Sequence, residues 1–458
     1  MFVYMYKKFI LLSLIVLLLG LGCKGATEEE LSLVRPTTLE YWTVFNDIEM
    51  LRTFAKEYQA TRPYVRINIR QVRFEELEKL FVNALADDVP PDIISLHVRD
   101  LRRHLSRLSP MPPQVQVADI RVTEGVNQQT IVTPRVFQLP TPNQVAESYV
   151  STVKDDVIVG GGIYGLPLAV DTLALYYNTE LLDKSGVIEP PRNWTDFTDA
   201  VKRGVKFDTE QNLIQIGAPM GLASNIDNHF DIFSLLLMQN SLKIEENGFV
   251  TFAADVNLGT EQHPAFTAFR FYTDFARPER DTYTWNARQN TALEEFARGR
   301  SLFYIGHAFD RARIEFLGPQ LPYAITSVPQ LNADSPANVA NYWVETVTAK
   351  SDAQNEAWDF VRYITDPAQV ARYVEKTGQP SPIRAQVRTQ QEDPLLAPFV
   401  SQILVARNWY HGNDGRAAAD AITNMIGASH LPPRADSNEI RRDVELLQQA
   451  SFQIQQTY

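Results

Sequence analysis

Seven histidines, one cysteine and 55 carboxylates are the side chains of this 458-residue sequence best equipped to move protons, hold metal or attack a carbonyl. Their spacing assembles none of the common catalytic devices. His97, His104, His229, His263, His307, His411 and His430 never form an HExxH pair, and no Gly-x-Ser-x-Gly elbow occurs. Zinc-protease and serine-hydrolase chemistry therefore each lack a part. With Cys23 alone, no intrachain disulfide or thiolate zinc site can be built. No catalytic residue, metal ligand or cofactor is expected from these residues. Paired acids of the glycosidase type stay open as an alternative, because any two carboxylates can meet in a fold. The glycines Gly160-Gly161-Gly162 lack a following Lys-Ser/Thr and belong to turn chemistry rather than to a phosphate loop. What the chain does offer is aromatic rings beside amides and acids, as in Phe45-Asn46-Asp47 and Trp343-Val344-Glu345. Such groups suit binding, with ring planes for apolar faces and polar atoms for hydroxyls.

The elements that position these groups alternate between strand and helix. Leu39 to Phe45 reads as a strand, and Asn46 or Asp47 can cap a helix on which Ile48, Leu51, Phe54, Ala55 and Tyr58 recur until Pro63. Val65 to Val72 is a second strand, followed by a helix with Phe74, Leu77, Leu80, Phe81 and Leu85 on one face. Asp92-Ile93-Ile94 begins a third strand. This alternation predicts a largely parallel sheet whose ligands meet the carboxyl ends of its strands, so the loops after Phe45 and Ser95 face a cleft. Six prolines between Ser106 and Pro142 predict surface loops or a lid there. Thr195 is expected to cap a short helix, with Trp194 packing beside the cap. His229 to Gln239 is apolar on nearly all sides and reads as a buried helix whose leading His229 and Phe230 reach towards a cleft. The aromatics between Ala265 and Phe275 read as core.

Composition narrows the function class. The chain is 45% hydrophobic and 21% charged, as expected of a globular protein of two or three domains. A net charge of −12, with no long basic run, argues against a nucleic-acid partner, because such binding needs Lys and Arg to neutralise phosphates.

An ordered set of motifs goes further. It starts with Trp42-Thr43-Val44-Phe45, the helix ending before Pro63, the strand Val65 to Val72, and Pro91-Asp92-Ile93-Ile94. Next comes GGGIYGLPLAVDTLALYYN from Gly160 to Asn178, then Phe296, Gly299 and an apolar strand into Gly306. Tyr363-Ile364-Thr365-Asp366-Pro367, Thr377-Gly378 and Pro380-Ser381-Pro382 complete it. The set resembles the family-one extracellular solute-binding proteins of ABC importers, the class that includes maltose-binding protein, over nearly all of residues 37 to 390. The resemblance implies an α/β, periplasmic-binding-protein-like fold: two lobes with mixed or parallel sheets, joined by a three-crossing hinge. Lobe 1 is expected over 37–170 plus 288–340, and lobe 2 over 171–287 plus 341–458. The resemblance also implies a binding protein rather than an enzyme. Its partners would be a small solute, most readily a sugar or oligosaccharide, and the membrane subunits of an importer. A polyamine or other small solute is the alternative, followed by a non-transport surface lipoprotein or a glycoside-acting enzyme.

Residues 1–22 carry Lys7-Lys8, the apolar run Phe9 to Leu19 and Gly20-Leu21-Gly22 before Cys23, the layout of a secretory signal. The run from Phe9 to Leu21 is short against the roughly 20 apolar residues a membrane span needs. The segment resembles a bacterial lipoprotein signal, which implies a lipid on Cys23, a tether over 23–36 and an extracytoplasmic, membrane-anchored protein. With the hinge and strand ends as guides, the expected ligand contacts are Phe45, Asn46 and Asp47 after the first strand, and His97 after the third. Asp171 at the first crossing, Trp285, Trp343 and Glu345 at the others, and Trp409 late in the chain complete the set. Each has a structural role to weigh against this one: Asn46 and Asp47 as helix caps, Asp171 as a hinge brace, Trp409 as core. Leu96 and Arg99 stand where maltose-binding protein has a tryptophan and an aspartate.

Overall fold

The structure, a computed structural model, describes residues 34–122, 130–259 and 262–458. The signal 1–22, Cys23 and most of the tether lie outside the described residues. Strand β1 (Thr37–Thr43) runs into Asp47, whose side chain accepts the Met50 N–H at 2.7 Å and starts helix α1 (Ile48–Thr61). Leu51, Phe54, Ala55 and Tyr58 recur every three or four residues on one face of α1, and all are buried. Strand β2 (Val65–Gln71), helix α2 (Phe74–Ala86) and strand β3 (Ile93–His97) repeat the unit. Thr37 to Thr43 pair in parallel with Val65 to Gln71, and Tyr41 pairs with Ile93. A short β4 (Leu108–Ser109) follows.

The proline-rich segment departs from the expected loops. It forms a two-stranded antiparallel ribbon of β5 (Gln114–Val122) and β6 (Thr130–Gln138). Pro134 is tolerated because it lies in a ribbon of only two strands, opposite Ala118. The Ala118 N–H turns instead to the Tyr64 hydroxyl, 3.0 Å away.

Strands β7 (Asp171–Thr172) and β8 (Ala174–Asn178) then lead into the second lobe, with helices α3 (Trp194–Gly204), α4 (His229–Gln239) and α5 (Pro264–Asp274). Asn193, not Thr195, caps α3, its side chain accepting the Asp196 N–H at 2.8 Å. Strands β9 (Phe303–Gly306) and β10 (Tyr323–Ser327) pair antiparallel on either side of β8, with Leu175 opposite Ile305 and Thr326. Strand β11 (Asn338–Asn341) crosses back, and β12 (Trp343–Thr348) pairs antiparallel with β3, Trp343 opposite His97. Helices α6 (Gln354–Ile364) and α7 (Pro367–Thr377) cover the first lobe. Strand β13 (Ala406–Arg407) crosses a third time, before α8 (Gly415–Ala428) and α9 (Glu439–Gln455).

This pairing corrects the expected lobe boundaries. One core joins Leu39–Val170 to Ala340–Ala406, and the other joins Leu173–Val339 to Phe399 and Trp409–Ile454. Residues 302–306 therefore stay in the second lobe, and 343–396 return to the first, after which Phe399 turns to the second-lobe core while Val400 and Ile403 stay with the first. The apolar run Leu302–Ile305 fits either sheet by composition, and its hydrogen-bond register with β8 decides. The crossings are at 171–172, 338–341 and 406–407, where β7, β11 and β13 form one small sheet, antiparallel on one side of β11 and parallel on the other. Gly165 is required beside β12: a Cβ there would sit 2.9 Å from the Glu345 carbonyl oxygen, where Leu166 and Glu345 exchange backbone hydrogen bonds.

Candidate functional site

The carboxyl edge of the first-lobe sheet carries a group of aromatic rings. Phe45 follows β1, Phe74 follows β2, and Trp343 opens β12 opposite His97. The Trp343 ring lies 5.4 Å from Phe45, 6.0 Å from Phe74 and 5.4 Å from His97, each contact edge-on. Phe45 and Phe74 are 6.2 Å apart. Phe45 is 68% exposed, Phe74 52%, and Trp343 partly exposed. Phe45, Trp343 and His97 are among the contacts expected from sequence, whereas Phe74 is not, because its place as the first residue of an amphipathic helix hides its exposure.

Beneath this shelf lies a closed polar network. Glu345, fully buried, accepts hydrogen bonds from Tyr41 Oη (2.5 Å), Ser95 Oγ (2.5 Å) and Asn46 Nδ2 (2.7 Å). Asn46 Oδ1 in turn accepts from the Tyr373 hydroxyl, which also takes the Asp47 N–H. Burial pushes the Glu345 carboxyl above its ordinary value despite its three donors. Glu345 is thus a support for the loop after β1 and not a surface that meets solute. Asp47 is likewise committed as the α1 cap.

A second group bridges the lobes behind the shelf. Arg99, from the first lobe, pairs with Asp231 of α4 at 3.3 Å and lies over the Phe230 ring, 4.7 Å from its centre. Asn341 links the two sides, donating to Asp231 at 2.8 Å while its oxygen faces His97 Nε2 at 3.1 Å. Burial alone would raise Asp231, yet Arg99, His307 and the Asn341 amide hold its carboxyl below the usual range. Arg99 is therefore not free to meet an anion. Asp231 was hidden within a run of apolar residues that reads as buried helix, and its partner comes from a distant loop.

Asp171 acts at the hinge. Its carboxylate accepts the N–H groups of Thr172 (2.8 Å), Ala308 (3.0 Å) and Phe309 (3.1 Å), tying the first crossing to the loop after β9. Burial pushes it up to about 6. In that loop the Phe309 ring, 48% exposed, stacks on buried His307 at 5.1 Å.

Two expected contacts lie elsewhere. Trp285 is fully buried in the second-lobe core with its indole N–H on Asn225 Oδ1 at 2.8 Å, so it presents no face to a cleft. Trp409 is 9% exposed, stacked on Phe230 at 5.8 Å and bonded to Ser234. It backs Phe230 rather than facing solvent. Two grooves of about 400 Å³ on the second-lobe surface, one along Trp194 and Phe271 and one along Gly186–Arg192, lie apart from the shelf.

Burial, and after it the Arg99 charge, push the His97 imidazole down to about 3. An unfolded histidine takes up its proton near 6.5. Acidification below 6.5 thus protonates the unfolded chain first, and the stability due to neutral His97 is lost as pH falls from 6.5 towards 3. The expected result is that His97→Gln flattens the wild-type decline over this window by up to one proton, ~1.4 kcal/mol per pH unit. Urea titrations at pH 7, 5 and 4 measure it, and parallel slopes for the two proteins would contradict it.

The sequence profile described as "Bacterial extracellular solute-binding protein" matches residues 50–398. A Brucella abortus protein is 38% identical over 55 residues, 12% of this chain and 13% of that protein, so the alignment spans about an eighth of that relative. The multiple sugar-binding protein of Streptococcus mutans is 20% identical over 96% of this chain and 99% of its own length. Among solved structures, an ABC transporter solute-binding protein from Thermotoga lettingae, bound to α-D-tagatose, superimposes with a TM-score of 0.68. It is 17% identical and covers 92% of this chain and 99% of its own. The likeness to that structure is one of fold: two α/β lobes on a three-crossing hinge. With the profile spanning most of the chain, from within α1 through β7, β11 and β12 to beyond α7, this protein belongs to the bacterial extracellular solute-binding protein family.

Proposed function

We propose that this protein captures a sugar or oligosaccharide outside the cytoplasm and delivers it to the membrane subunits of an ABC importer. The observation that carries this reading is the partly exposed ring shelf of Trp343, Phe45 and Phe74 at the carboxyl edge of the first-lobe sheet, next to the hinge. Aromatic planes match the apolar faces of sugar rings, and hinge closure sequesters what they hold. The sugar-binding name of the Streptococcus mutans relative supports the same class. A cationic solute such as a polyamine fits less well, because Asp47, Asp171 and Glu345 are committed to backbone or buried side-chain donors.

A thermal-shift screen over sugars, polyamines, amino acids and phosphate esters tests the reading. A true solute stabilises by about 2.7 kcal/mol at a hundredfold excess over its dissociation constant. Binding of a neutral sugar should change little between low and high salt, whereas a polycation weakens as charges are screened. Hits confined to polyamines would overturn the carbohydrate reading.

The same proposal places a lipid on Cys23, motivated by the signal layout before it. Intact mass of membrane-extracted protein should show cleavage before Cys23 with added acyl mass. An unmodified chain still carrying Met1 would rule the anchor out.

A further inference from the structure

We infer that the groove between α3, α4 and α5 on the second lobe is a second ligand site, taking a small molecule with one apolar ring and one ammonium group, and that its occupancy biases the hinge. Its volume of about 400 Å³ suits a single-ring compound, since small-molecule sites run from roughly 300 to 1,000 Å³. The Trp194 and Phe271 rings stand 5.4 Å apart at 72° and give it two aromatic walls. Leu331, 55% exposed, completes the lining from the loop that joins β10 to β11.

The free charged and amide groups of the groove are acceptors. Asn240 spends its amide N–H on the Leu236 carbonyl at 2.8 Å, which leaves Oδ1 to accept. Lys202, the one base in the lining, is paired with Asp281 at 2.6 Å. Asp199, exposed on α3, makes no ion pair or hydrogen bond among the described residues. An unpaired carboxylate beside aromatic walls is the complement of an ammonium group carried on a ring. An anion would meet Asp199 as a like charge.

From the floor of the groove a run of amide side chains reaches the hinge. The Trp194 indole N–H donates to Gln239 Oε1 at 2.6 Å, and Gln239 Nε2 donates to the Pro329 carbonyl at 3.0 Å. The next residue, Gln330, accepts the Ala337 N–H and donates to Gln402 Oε1, each at 3.0 Å. Gln402 Oε1 also accepts from Asn338, the first residue of β11, at 3.2 Å. Asn338 donates in turn to the carbonyl of Leu173, the residue after β7, at 2.8 Å. A ring seated against Trp194 and Leu331 therefore touches both the first link of this run and the loop that feeds β11. Turning β11 as the lobes move pulls on residues 328–337, so the groove differs in shape between open and closed forms. A ligand that binds the two forms unequally shifts their populations. None of these groups belongs to the ring shelf of the first lobe, so the occupant of the groove is independent of the solute's identity.

Calorimetric titration of the full mature chain with phenethylamine tests the site. Saturable binding is expected, with phenethyl alcohol, the same ring without the charge, at least about tenfold weaker. Asp199→Asn should weaken phenethylamine by at least about tenfold and, the side chain being exposed, melt within a few degrees of wild type. A polyamine held in the cleft would be indifferent to that substitution, so failure of the carbohydrate reading and failure of this site give different results. Spin labels on Lys56→Cys and Lys184→Cys, exposed positions in the first and second lobes, report the lobe-to-lobe distance in a Cys23→Ser chain. Saturating phenethylamine should change the proportions of open and closed distances. Gln239→Met, which cuts the run at its first link, should keep phenethylamine affinity within about twofold and lose that change. Gln402→Met cuts it at the hinge end and serves should the first variant fail to fold. No saturable binding, equal affinity for amine and alcohol, or indifference to Asp199→Asn overturns the site. Binding that leaves the distances unchanged overturns its coupling to the hinge.

Discussion

Trp343→Ala is expected to weaken solute binding by at least about tenfold, about 1.4 kcal/mol, while the ligand-free melting point stays near that of wild type. The indole is the common neighbour of Phe45, Phe74 and His97, so its loss removes the central plane of the shelf. Aromatic contacts of this kind contribute roughly 0.5–1.5 kcal/mol beyond their area. Trp343 is partly exposed, and the β12–β3 pairing that carries it uses backbone atoms that alanine retains. Binding and folding therefore separate at this position. Titration of the confirmed solute, with a melting curve of the apo protein, measures both. Unfolding of the variant, or unchanged affinity, would remove Trp343 from the cleft.

Glu345→Ala should have the opposite profile. Three donors, Tyr41, Ser95 and Asn46, converge on a carboxylate with no solvent exposure. Leaving them without an acceptor costs each about 1–3 kcal/mol of desolvation, and the expected destabilisation is on the order of 3–5 kcal/mol. Glu345→Gln keeps the shape and one acceptor oxygen. Because burial already raises the carboxyl of Glu345, a neutral amide should recover much of the loss. Equilibrium urea unfolding of the three proteins is the measurement. A loss below about 1 kcal/mol for the alanine variant would mean that water replaces the acceptor freely.

The frame of the first lobe was legible because its signals are local. Asp47 caps where the sequence places a cap, α1 shows its helical period, and the loops after β1 and β3 fall at the carboxyl edge. Phe45, His97 and Trp343 could be singled out for that reason. Sheet membership is not local. Nothing in Leu302–Ile305 or Trp343–Thr348 distinguishes one sheet from another, and only the hydrogen-bond register with β8 and β3 assigns each to its lobe. Trp285 failed differently, because a tryptophan between polar residues looks exposed until Asn225 is brought to its indole N–H. Asp231 and Arg99 could be paired only once the two lobes were placed against each other.

The return of β12 to the first-lobe sheet also constrains how this protein can be made. The first-lobe core needs β12 and the helices around Trp358 and Tyr373, which leave the ribosome long after β1 to β3. A nascent chain carrying residues 37–170 has Tyr41, Ile93 and Leu96 ready but lacks the antiparallel strand that covers β3. Contacts of such sequence separation form slowly. The early segment thus cannot complete its core alone, and the native first lobe forms only once β12 and the helices around Trp358 and Tyr373 have been synthesised.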